Sequence, residues 1–148
     1  DTSKIAVMGQ SCGGVQALTV AGDPRITTMM IWNSGAGMIP NNPATDALAK
    51  IHTPVAFISG EQAKDVAFPA SKMNFETLNS VPVFWGWQDG MTHIGTYGAA
   101  GGGSFGRIAV AWLDWRLKGD ERAAGMFRGA NCLLCRETSW HVAKKGID

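Results

Sequence analysis

The chain has 148 residues, of which 45% are hydrophobic and 17% charged, with a formal net charge of +1. That length fits a single domain with a core of its own, and the low charge content argues against a disordered segment. The near-zero net charge excludes a strong field for nucleic acid or an anionic membrane surface, and no apolar run approaches the roughly 20 residues that span a bilayer.

Strand and helix patterns alternate along the chain. Lys4–Met8 is a short apolar run ended by Gly9, which predicts a buried strand. Cys12–Ala21 reads as a helix closed by Gly22-Asp23-Pro24. Ile26–Trp32 predicts a second buried strand, ended by Asn33-Ser34-Gly35, and the Gly35–Pro43 stretch a loop. Thr45–Lys50 predicts a short helix and Val55–Ser59 a third strand ended by Gly60. Phe68–Leu78 reads as a helix, with Pro69 suited to its first turn. Val81–Trp87 predicts a fourth strand, followed by a glycine-rich loop to Gly103. Ser104–Lys118 is the clearest helix: Ser104 is a candidate cap, and Ile108, Trp112 and Trp115 fall on one face. Glu121–Phe127 predicts a last short helix, and the C-terminal stretch that holds His141 reads as polar. Such alternation implies an α/β fold, a parallel sheet with flanking helices, over residues 1–148 as one domain.

Gly9-Gln10-Ser11-Cys12-Gly13 is a G-x-S-x-G between a predicted strand and a predicted helix. That context places Ser11 on a sharp turn with its Oγ clear of the backbone, Gly9 and Gly13 keeping neighbouring chain away. The Cys12 N–H, at the helix N-terminus, is then aimed where an oxyanion would develop. A nucleophilic serine needs a base, and the base an orienting acid. Among three histidines, His52 precedes a strand and His141 lies near the C-terminus. His93 is in the loop after the fourth strand, on the sheet edge where strand C-termini gather ligand-binding loops, and is the candidate base. The acid belongs in Gly60-Glu61-Gln62-Ala63-Lys64-Asp65. Asp65 is preferred for its short side chain, Glu61 is the alternative, and Asp89 reads as a turn residue. The order Ser11, Asp65, His93 is nucleophile, acid, base.

With Gly9–Gly14, the Ile58–Glu61 strand end and His93 before a long final helix, the chain resembles the C-terminal half of the α/β-hydrolase superfamily. The resemblance implies a carboxylic ester hydrolase acting on a small-molecule ester through an acyl-serine, without a cofactor. It also implies several strands ahead of the nucleophile strand, with a loop supplying the second oxyanion N–H. None of these is in this sequence, so the chain is expected to pair with a second chain or a preceding half. Secreted-type members are the most similar in the wider segment, which implies an extracellular or periplasmic setting. A non-catalytic α/β module that binds a small ligand or partner through the same loops is the alternative.

Cys132-Leu133-Leu134-Cys135 is a C-x-x-C. A short disulfide is the first reading, free thiols the second and half a metal site the third, since only His141 is a nearby further ligand. Cys12 reads as a buried small hydrophobe, and Trp85 and Trp87 as core residues on one strand face. The glycine loop lacks the Lys-Ser/Thr of a phosphate-binding loop and reads as a flexible rim beside His93.

Overall fold

The structure, a computed structural model, describes residues 1–148. Strands β1 (Ile5–Gln10), β2 (Ile26–Trp32), β3 (Val55–Ser59), β4 (Val83–Gln88) and β5 (Trp140–Lys145) form one sheet in sequential order. β1 to β4 are parallel, and β5 runs antiparallel to β4. The helices are α1 (Cys12–Thr19), α2 (Ala44–Ala47), α3 (Phe68–Thr77), α4 (Gly103–Lys118) and α5 (Glu121–Ala124). The protein is therefore an α/β fold with a mostly parallel sheet. No helix is long and apolar enough to cross a membrane.

Sequential order and right-handed crossovers dictate the layering, because successive βαβ units put their helices on the same face. α1, α2 and α3 cover one face, over Met29, Ile31, Val55, Phe57, Val83 and Trp85. α4 and the chain beyond it cover the other, over Met30, Trp32, Ala56, Ile58 and Phe84. β2 and β3 are buried on both sides, which explains why Met29–Trp32 and Val55–Ile58 are apolar without a break. Trp112 anchors the α4 layer. It is fully buried, meets Phe127 edge-on at 5.1 Å, and donates its Nε1–H to Thr28 Oγ1 at 2.8 Å. Such an aromatic pair adds about 0.5–1.5 kcal/mol beyond its buried area.

Several sequence expectations need correction. β1 is an edge strand, half-buried with Met8 exposed, because only β2 pairs with it. Ser104 does not cap α4. The helix starts at Gly103, and the Phe105 N–H finds its acceptor in Thr96 Oγ1 at 3.1 Å, while Ser104 Oγ donates to Gln88 Oε1. The polar C-terminal stretch is strand β5, stabilised by its lysine tips. Lys145 Nζ donates to the Phe75, Glu76 and Leu78 carbonyls, which α3 leaves free at its C-terminus, and Lys144 Nζ to Phe127 and Gly129. The first reading of the C-x-x-C holds, by contrast: Cys132 and Cys135 are joined in a disulfide, so neither is a free thiol or a metal ligand.

Candidate active site

The parallel strands deliver four connections to one sheet edge: Ser11 after β1, Asn33 after β2, Gly60–Asp65 after β3 and His93 after β4. Ser11 has φ 52° and ψ −122°, a conformation that an L residue adopts only under constraint. The constraint is visible in its backbone bonds. The Ser11 N–H donates to Trp32 O at 3.0 Å. The Ser11 carbonyl accepts from the Gly14 and Val15 N–H groups and from Ser34 Oγ at 2.6 Å. The turn closes tightly: a Cβ on Gly9 would lie 2.1 Å from Gly13 O, and one on Gly14 2.5 Å from Ser34 Cβ. A Cβ on Gly13 would meet nothing within 4 Å. The glycines the turn requires are therefore Gly9 and Gly14, and Gly13 is free to carry a side chain.

Ser11 Oγ lies 2.8 Å from His93 Nε2, and His93 Nδ1 lies 2.8 Å from Asp65 Oδ1. His93 is partly exposed, with 23% of its side chain accessible, whereas Asp65 is buried. Gln10 Nε2 donates to His93 O at 3.0 Å and so ties the histidine loop to the end of β1. Gly60 lets the acid and histidine loops cross, since a Cβ there would lie 2.6 Å from Met91 O.

Burial pushes the Asp65 carboxyl up. Four hydrogen bonds outweigh it and hold the group below the usual carboxylate range: from His93, from the Gly60 and Ala67 N–H groups, and from Asn33 Nδ2. Asp65 is thus an ionised, fixed acceptor that selects the tautomer of His93 with hydrogen on Nδ1. Nε2 is then free to accept the Ser11 hydroxyl proton. The first N–H of α1, on Cys12, has no intrahelical acceptor by its position and belongs to the residue after the serine. Together these groups can activate a hydroxyl and hold an anion beside it.

The other candidates stand apart. Glu61 accepts from Lys64 Nζ at 2.9 Å and from the Gly90 N–H at 2.7 Å, so it braces the turn ahead of His93 rather than touching the imidazole. Asp89 pairs with His141 Nε2 at 2.9 Å on β5. His52 is exposed. Cys12 is exposed rather than buried, because it faces outward from the first turn of α1. Trp85 is core, whereas Trp87 is half-buried, tilted against Trp85 and stacked on His141. Sequence reasoning missed Gln10, Asn33 and Ser34 as partners of these residues. The only local signal was the turn-forming character of Asn33-Ser34-Gly35.

An apolar cleft of about 170 Å³ opens beside the histidine loop, between Met8, Trp32, Tyr97, Phe105 and Ala109. Three larger clefts, of about 390, 540 and 310 Å³, lie elsewhere, and none of the four is lined by Ser11, Asp65 or His93. No family model matches the chain, and no curated protein matches it either, which leaves the geometry of these residues as the ground for a functional reading.

Proposed function

We propose that this chain is a serine hydrolase of the α/β-hydrolase type that cleaves a carboxylic ester through an acyl-serine. The observation that carries the reading is the continuous relay from Ser11 Oγ through His93 to the buried Asp65, each link at 2.8 Å. His93 Nε2 takes the hydroxyl proton as Oγ attacks the ester carbon. The Cys12 N–H faces the developing oxyanion, aided by the positive end of α1. Collapse of the tetrahedral intermediate expels the alcohol, which leaves with the proton from His93. Water, deprotonated by His93, then attacks the acyl-serine and releases the acid. Asp65 stays ionised throughout and stabilises the transient imidazolium.

The apolar cleft at Tyr97 is on the same loop as His93 but is lined by neither His93 nor Ser11. A substrate group reaching into it from the serine would have to be a short acyl or aryl group, since its volume is below the usual range of about 300–1,000 Å³ for larger ligands. The free edge of β1 supports the addition of further strands, from a second chain or from a preceding segment of this one, which would bring a second oxyanion donor. A site lacking one donor runs about 10²–10³-fold slower. The test is hydrolysis of p-nitrophenyl acetate, butyrate and octanoate by the chain and by Ser11→Ala, His93→Ala and Asp65→Asn. Slow turnover that favours the short esters and is lost in the first two variants is expected. Turnover that survives Ser11→Ala, or none by the folded chain, would overturn the reading.

A further inference from the structure

Asn33 ends β2 in the left-handed region, at φ 43°, and is completely buried. Its N–H donates to Ile58 O at 2.7 Å, which pins it against β3. Its Nδ2 donates to Asp65 Oδ2 at 2.9 Å and approaches Thr92 O, the residue before His93, at 3.4 Å. Its Oδ1 accepts no hydrogen bond. The opposite amide orientation would set Oδ1 against an ionised carboxylate, so the one consistent orientation leaves a buried carbonyl oxygen unpaired. A left-handed non-glycine residue and an unpaired buried oxygen both work against folding. Glycine would avoid both. What Asn33 alone contributes there is an N–H aimed at the carboxylate.

The four donors on Asp65 divide unequally. The Gly60 and Ala67 N–H groups belong to the loop of Asp65 itself and move with it. His93 is the group to be positioned. Asn33 comes from a third strand connection and gives the carboxylate an external reference. The same turn also holds the nucleophile, because Ser34 Oγ donates to the Ser11 carbonyl, and Ser71 Oγ fixes Ser34 O at 2.7 Å. We propose that Asn33 is a positioning residue of this site, whose amide locks the Asp65 carboxylate so that Oδ1 stays on His93 Nδ1, and whose turn sets acid and nucleophile in one frame. The inference rests on the serine hydrolase reading for its kinetic consequence, but not for its structural one.

Two readouts test it. Asn33→Gly removes the amide while accepting the left-handed backbone. Asn33→Ser shortens the side chain so that its hydroxyl falls short of Oδ2, and serves should the glycine variant melt too low. Labelling by a fluorophosphonate probe is followed against probe concentration to separate kinact from KI. The downfield proton NMR resonance of His93 Nδ1–H, assigned by its absence in His93→Ala, reports the histidine–carboxylate bond without any reaction. A positioning role predicts that kinact falls about tenfold to hundredfold with KI unchanged. It also predicts that the resonance broadens or disappears. Wild-type kinact and an unaltered resonance in a folded Asn33→Gly would overturn it, as would a loss confined to KI. Should the wild-type chain not label, the hydrolase reading falls alone, and the resonance decides for or against Asn33.

Discussion

The glycines of the serine turn respond differently to one added methyl group. A Cβ on Gly9 would lie 2.1 Å from Gly13 O, 2.3 Å from Gly13 C and 2.7 Å from Gly14 N. Carbon contacts settle at roughly 3.5–4.0 Å, so the end of β1 and the start of α1 must part by more than about an ångström. Both sides of the collision are backbone, and no rotamer relieves it. Overpacking of this kind costs about 1–3 kcal/mol, and Gly9→Ala belongs at the upper end. For a chain of this length that lowers Tm by roughly 6–12 °C. The Ser11–His93 bond of 2.8 Å cannot survive such a shift, and a misplacement of about 1 Å costs about 10²-fold in rate. Gly13→Ala adds its methyl to open space inside α1 and gains about 0.5–1 kcal/mol of helix stability. Thermal melting and fluorophosphonate labelling of the two variants side by side provide the assay. Equal behaviour of Gly9→Ala and Gly13→Ala, whether both benign or both damaging, would refute the steric account of the turn.

Three further outcomes follow from the site and its surroundings. Asp65→Asn should lower the labelling rate about 10³–10⁴-fold, whereas Glu61→Gln, which braces only the turn at Gly90, leaves it unchanged. The folded-state pKa of Asp65 lies below its unfolded value, so its stabilisation is complete above about pH 4 and is lost as pH falls through the folded value. Urea unfolding midpoints measured from neutral to acid pH should decline there, and less steeply in Asp65→Asn. The Cys132–Cys135 bridge closes a loop with a sequence separation of only 3, so chain entropy assigns it about 2 kcal/mol. A reductant, or Cys132→Ser with Cys135→Ser, should lower Tm by several degrees.

The parts of the fold that were legible are those fixed by local chemistry. Ile26–Trp32 and Val55–Ser59 each hold an apolar run of four, Met29–Trp32 and Val55–Ile58, with proline ahead and glycine behind, and they are the two strands buried on both faces. β5 was illegible because its case rests on distant partners: nothing local in Lys144-Lys145 says that their ammonium groups end on α3 and Phe127–Gly129 carbonyls. The proximity of Ser11, Asp65 and His93 could be read because parallel strands bring their following loops to one edge. The preference for Asp65 over Glu61 turned on side-chain length, and the structure gives each carboxylate its own partner. Asn33 was hidden because its role depends on how β2, β3 and β4 end relative to one another, which no periodicity records. The choice of Gly14 over Gly13 was hidden likewise, since it is Ser34, in the connection after β2, that crowds it.

The central claim is that Ser11 is an activated nucleophile. Fluorophosphonate labelling read by intact mass, with the adduct mapped by peptide sequencing, tests it most directly. The account predicts a single adduct on Ser11 that is abolished in Ser11→Ala and His93→Ala. An adduct that persists without Ser11, or a folded chain that takes none, would contradict it.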